Sequence, residues 1–169
     1  RCTSSAASDV YKRQIFSQSF KDLTERPTYN PIKIEKPIIF DGAVDNQEWS
    51  KAQIATNFNG SGTFQGQPSD LRTEARLFYD EKNIYVGFIA YVDKEDLRYS
   101  ITKRDNLDEK DDRVWINIDA FDDEALTYGI GVSAGGVQID GRATYGFDKS
   151  LDLIYESKVS VYNLSLIHI

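Results

Sequence analysis

Residues 113–119 read RVWINID and set Trp115 between Arg113 and Asn117 on a strand-like alternation. Val114, Ile116 and Ile118 fall on one face of such a strand; Trp115 and Asn117 fall on the other, toward solvent or a second layer. An aromatic ring there is either a ligand platform with hydrogen-bonding neighbours or packing beneath a loop. The adjoining run RDNLDEKDD, residues 104–112, and Asp119 beyond it offer carboxylate oxygens of the kind calcium takes. The candidate ligands are Asp105, Asp108, Asp112 and Asp119. An EF-hand loop opening at Asp105 would place Leu107 at its third position and Lys110 where glycine is required, so a solvated acidic loop is the competing reading. A glycosidase would need two carboxyls about 5–9.5 Å apart across the scissile bond, and no pair stands out among the many. GVSAGG, residues 131–136, lacks the Gly-Lys-Ser/Thr of a phosphate loop.

The single Cys and single His narrow the chemistry further. Cys2 and His168 lie at the extreme ends of the 169-residue chain. Those ends share an origin. DVYKRQ, residues 9–14, can be encoded by GAT GTG TAT AAG AGA CAG, whose reverse complement reads in frame as LSLIHI, residues 164–169. One DNA stretch read in both directions accounts for both, and it resembles the transposase end used in sequencing libraries. Residues 1–14 and 164–169 are therefore expected to be adapter-derived and to lack a fixed place in the fold. The remaining segment, residues 15–163, contains no Met and suits an internal piece of a longer gene. It has no Cys or His, so a Ser-His-Asp triad, Cys or His nucleophiles and Cys/His zinc sites are excluded within it.

Charge points the same way. The chain carries 20 basic and 27 acidic residues. Removing Arg1, Lys12, Arg13 and Asp9 with the ends leaves 17 and 26, a net charge of −9. Such a surface repels phosphate backbones, so no nucleic-acid partner is expected. No apolar run approaches the ~18–20 residues of a transmembrane helix. About 150 residues suit one domain with a core of its own.

The elements that position these residues are mostly short strands. Residues 15–37, with Pro27, Pro31 and Pro37, read as an extended lead-in. In IIFDGAVDNQEWSKA, residues 38–52, Asp41-Gly42 marks a turn. Asp45 followed by Glu48 has the spacing of a capping box for a short helix that buries Trp49. Residues 71–79 alternate Leu71, Thr73, Ala75, Leu77 and Tyr79 against Arg72, Glu74 and Arg76. Residues 84–92, IYVGFIAYV, are apolar on both faces and predict a central strand covered on both sides. Residues 126–133 and 137–143 flank Ala134-Gly135-Gly136, a hairpin turn, and residues 153–162 form a last strand. The fold class is all-β, an antiparallel β-sandwich with one short helix over residues 38–163.

Three stretches in this order resemble family 9 carbohydrate-binding modules: IIFDGAVDNQEWSKA as their opening, TEARLFYDEKNIYVGFIAYVD as their central hairpin, and DDRVWINIDAF as their Asp-x-Val-x-Ile-x-Ile-Asp strand. LTYGIGVSAGGVQID and LIYESKVSV extend the likeness, which is greatest to relatives placed N-terminal to an outer-membrane-barrel-like region in bacterial surface proteins. The resemblance implies a non-catalytic sandwich that binds glycan, in sugar-binding members the reducing end of a chain held between two Trp rings. It implies further strands past this segment, so the sandwich is expected to lack its last ones. The family's Trp before the Asp-x-Val strand has no counterpart in NLDEKDD, residues 106–112, and a strand Glu of the sugar site corresponds to Trp115. An Arg of that site is replaced within Tyr128-Gly129-Ile130. Trp115 is then the expected stacking ring, with Asn117 and Arg113 bonding hydroxyls. The implied context is the cell envelope, secreted or outer-membrane, tethered to a missing C-terminal barrel. The competing expectation is an interaction domain that keeps the sandwich without the sugar site.

Overall fold

A computed structural model describes residues 2–3, 28–44, 47–59, 67–108, 110–122, 125–161 and 165–168, with the side chains of 2–3 and 165–168 left aside. The chain is all-β, with its strands divided between two five-stranded sheets, the content of a β-sandwich. In chain order the strands are β1 (Cys2–Thr3), β2 (Ile32–Lys33), β3 (Thr73–Tyr79), β4 (Ile84–Ala90), β5 (Arg113–Ile118), β6 (Thr127–Ser133), β7 (Gln138–Ala143), β8 (Phe147–Asp148), β9 (Lys158–Val161) and β10 (Ser165–His168). One sheet has the order β1-β5-β6-β7-β8 and the other β2-β3-β4-β10-β9. All pairs are antiparallel except β2–β3, which is parallel. Arg1–Tyr11 and Leu97–Ser157 form one compact unit, and Lys12–Asp96 with Lys158–Ile169 forms the other.

In the second unit, β3 and β4 are joined by a tight turn built on Asp80. Its carboxylate accepts the backbone N–H groups of Lys82 and Asn83, each at 2.7 Å, and the Tyr85 hydroxyl at 2.7 Å. The predicted central strand is found: β4 pairs on both edges, and Val86, Phe88 and Ile89 are buried, so both faces are covered. Val44, Trp49, Ala52, Phe78 and Ile89 form the core cluster, with Trp49 fully buried and its ring 5.4 Å from that of Phe78. Gly87 lets this core close. A Cβ there would meet Val44 Cγ1 at 2.6 Å and Trp49 Cη2 at 3.1 Å.

Local details differ from the sequence reading. The helix carrying Trp49 is a 3-10 helix, Gln47–Lys51. Glu48 accepts the backbone N–H of Ile39 at 3.1 Å; Asp45, the other half of the expected capping box, lies outside the described residues. The charged face of β3 is also its core face: Phe78 shares it with Glu74 and Arg76. Glu74 is buried there because Arg76 at 3.0 Å and Arg72 at 2.5 Å offset its charge. Paired carboxylates tolerate burial that lone ones do not. Of the strand expected over residues 153–162, only β9 (Lys158–Val161) is found, and residues 151–157 belong to no strand.

The two chain ends join the sheets rather than lying free of them. β1 pairs with Asn117–Ile118, and β10 lies between β4 and β9. A strand edge is a row of backbone donors and acceptors, and it pairs with extended chain whatever the side chains.

Candidate functional site

The first unit positions Trp115. Alternation along β5 buries Val114 and Ile116 on one face and leaves Arg113, Trp115 and Asn117 half-buried on the other. The register sets Trp115 opposite Gly131 and Asn117 opposite Gly129 on β6, with Gly141 of β7 next in line. Three glycines in this row leave the backbone bare, and the indole lies on it. A Cβ at Gly129 would fall 2.1 Å from Trp115 Cζ2, and one at Gly131 would fall 2.4 Å from Cε3.

Two contacts hold the ring. Its Nε1–H donates to Asn117 Oδ1 at 2.7 Å. Phe147 on β8 meets it edge to face, with centroids 5.3 Å apart and planes at 64°. Phe147 stands over Gly141, where a Cβ would lie 2.7 Å from its Cζ. It remains 43% exposed. The result is a two-ring ledge on a glycine floor. Asn117 spends its carbonyl oxygen on the indole, which turns its amide nitrogen, a donor, the other way. Arg113 shares the face by alternation, and its Nη1 donates to the Asp108 carbonyl at 3.4 Å, toward the acidic loop.

Neighbouring residues fix the strands beneath. Tyr155 donates to the carbonyls of Gly131 at 2.8 Å and Ile139 at 3.2 Å. Burial pushes its hydroxyl far above the ordinary tyrosine range, and the Asp140 charge adds to this, so it stays a neutral donor. Asp140 is fully buried on β7. It accepts Arg104 Nε at 2.9 Å and also Nη2, and its second oxygen accepts the Leu153 N–H at 2.5 Å.

The four calcium candidates do not converge. Asp105 comes near Asp140 and Asp152, with one oxygen from each within 4.8 Å of the others. Arg104 already stands among them, with Nε 3.7 Å from both Asp105 and Asp152. A guanidinium thus supplies the positive charge a divalent cation would bring. Asp108 and Asp119 serve local turns, and Asp112 ties the loop to residue 98. Asp108 Oδ1 accepts the Lys110 N–H at 2.9 Å, Asp112 Oδ2 accepts that of Arg98 at 2.8 Å, and Asp119 Oδ1 accepts that of Phe121 at 3.2 Å. Nor is the acidic loop simply solvated: Asp111 and Asp112 are buried, because their carboxylates take the Ser100 hydroxyl and these backbone donors. The sequence reading missed Phe147 and the glycine row. The Gly-x-Gly at 129 and 131 opposite an aromatic strand was the available signal.

A family model for carbohydrate family 9 binding domain-like proteins matches residues 39–163. The chain belongs to this family. No curated protein and no solved structure matches it. Membership makes carbohydrate the ligand class for the domain. Among the described residues, no helix is long and apolar enough to cross a membrane.

Proposed function

We propose that this family 9 binding domain acts as a non-catalytic glycan-binding module of a larger secreted or outer-membrane bacterial protein, serving polysaccharide breakdown. One observation carries the reading: Trp115 lies against Gly129 and Gly131, is braced by Asn117 and Phe147, and remains partly exposed. Sugar rings have C–H-rich faces that pack on aromatic faces, while their hydroxyls bond at the edges. Trp115 supplies the face, the Asn117 amide nitrogen an edge donor, and Arg113 a second at the rim. Calcium is not required for this arrangement. A barrel region tethering the module to the envelope fits the relatives that the sequence resembles.

One platform with a few polar contacts supports a dissociation constant of roughly 0.1–10 mM, about 4–5.5 kcal/mol after association costs. Titration with xylo- and cello-oligosaccharides, followed by Trp fluorescence, tests it. Trp49 is buried and gives a constant background, so the change reports Trp115. Saturable binding that Trp115→Ala abolishes is expected. Absence of binding by every glycan, or equal binding by the variant, would favour the interaction domain. The exposed Ile101, Phe121 and Ile154 in the loops of this unit are what such a domain would use.

A further inference from the structure

The sheet of the second unit holds a strand whose sequence owes nothing to the core. β10 lies between β4 and β9, with Ser165–His168 antiparallel to Gly87–Ala90 on one side and to Lys158–Val161 on the other. Residues 164–169 are the segment expected to be adapter-derived, from one DNA stretch that also encodes residues 9–14. Both walls of its place are held without it. β4 is paired along its other edge with β3, from Thr73 to Tyr79. β9 is held by the turn at Asp41-Gly42: a Cβ on Gly42 would meet Ser160 Oγ at 2.7 Å and Lys158 Cγ at 3.3 Å. Two residues on, Val44 packs on Gly87 of β4, where a Cβ would fall 2.6 Å from its Cγ1. One short segment, residues 42–44, thus touches both walls and sets their spacing. Two inter-strand steps make that spacing about 9–10 Å, room for one strand.

The backbone of β4 offers bonds into this slot. The Tyr91 N–H donates to the Arg72 carbonyl at 2.9 Å, toward β3. Groups alternate along a strand, so Gly87 and Ile89 also point to β3. Phe88 and Ala90 point their N–H and C=O into the slot, opposite Ile167 and Ser165. An empty slot would leave these groups as an unpaired edge on an apolar run, the kind of edge that most readily takes up extended chain. Phe88 and Ile89 lie on opposite faces of β4 and both are buried, so a strand beside them is covered on both faces too. That selects a segment apolar at several positions and free of proline, and little else about its sequence. The adapter meets this requirement with Leu164, Leu166, Ile167 and Ile169.

Resting on the adapter origin expected for residues 164–169, we infer that the β4–β9 slot is a strand-acceptor site. It binds an apolar extended segment of the same polypeptide through the backbone of Phe88 and Ala90 on one side and of β9 on the other. In the longer protein the occupant is the segment that follows Asn163. It enters by a short hairpin, since three residues separate Val161 from its partner Ser165. β10 stands in for that segment.

Amide hydrogen exchange followed by NMR, on the full chain and on its Ile167→Pro variant, tests this. Proline removes the N–H opposite Phe88 and does not fit a central strand. The Phe88 and Ala90 amides should exchange at least about 10-fold faster in the variant, while those of Gly87 and Ile89, which face β3, keep their rates. A free LSLIHI peptide should restore the slow rates, and so should a scrambled peptide of the same composition; LSLPHI should not. If the variant unfolds, all four amides exchange fast, and refolding with LSLIHI should recover them. Unchanged rates at Phe88 and Ala90, or no recovery with LSLIHI, would overturn the inference. Recovery by LSLIHI but not by the scrambled peptide would also overturn it, since the site would then read sequence. A parent that sediments as a dimer beside a monomeric variant would assign the strand to a second copy, against the same-chain origin. A chain with the residues that follow Asn163 in the longer gene, in place of 164–169, should protect the same two amides; loss of protection would overturn the assignment of the natural occupant.

Discussion

Gly129→Ala is the most direct probe of how the site is built. The added methyl would lie 2.1 Å from Trp115 Cζ2 and 2.7 Å from Cε2, well inside contact distance. β6 is hydrogen-bonded on both sides, to β5 and β7, so the backbone cannot retreat. The indole must lift. Overpacking of this kind costs about 1–3 kcal/mol. Lifting also breaks the Nε1–Asn117 bond, worth about 0.5–1.5 kcal/mol, and the edge contact with Phe147, worth a similar amount. The lower chain entropy of alanine returns about 0.5–1 kcal/mol. The net expectation is destabilisation by about 1–5 kcal/mol, which at this size lowers the melting temperature by roughly 3–15 °C. Thermal denaturation followed by circular dichroism gives the number, and the Trp115 indole N–H resonance should shift in the same variant. The decisive measurement is the double-mutant cycle. In a Trp115→Ala background the indole no longer meets the methyl, so Gly129→Ala should become neutral or slightly stabilising, with a coupling energy of about 1–5 kcal/mol. An equal penalty in both backgrounds would refute the claim that Trp115 lies on this glycine.

Trp49→Ala should cost about 3–5 kcal/mol by urea denaturation, since it empties the centre of the core formed with Phe78 and Val44; an unchanged midpoint would contradict that packing. Arg104→Met should cost about 3 kcal/mol, because it leaves the buried Asp140 carboxylate without its cation, and adding Asp140→Asn should recover part of the loss. Because Arg104 already sits among Asp105, Asp140 and Asp152, a chelator should leave the parental melting temperature unchanged. Asp80 is held at a pKa of about 2, below its ordinary 3.8, chiefly by the Lys82 backbone N–H and then by the Tyr85 hydroxyl. A depressed carboxyl pKa contributes stability that is present above about pH 4 and is lost as pH falls through about 2. Asp80→Asn should remove that part of the acid dependence, and a carboxyl NMR titration midpoint near 4 would contradict the turn geometry.

Several features were legible in the sequence because they depend on local period and composition. The apolar run at residues 84–92 could be covered on both faces only as a central strand, and β4 is one. Alternation at residues 113–119 separated Trp115 and Asn117 from Val114, Ile116 and Ile118, as β5 does. Ala134-Gly135-Gly136 marked a hairpin, and Gly136 takes the positive φ the turn needs. The order of three weak motifs indicated the family, which the match over residues 39–163 shows. Other features depended on residues distant in the chain. Asp105, Asp108, Asp112 and Asp119 form a suggestive acidic series on paper, but each carboxylate's role was set by the backbone N–H the fold brought to it, that of Asp140, Lys110, Arg98 and Phe121 respectively, with Arg104 also near Asp105. Glu74 falls on the charged face of the alternation, and only the two arginines the fold sets beside it allow its burial next to Phe78. Phe147 has no periodic signal of its own, being half of a two-residue strand. Only the β5–β6–β7–β8 register sets it against Trp115, because a contact between residues 32 positions apart is decided by strand pairing and not by local preference.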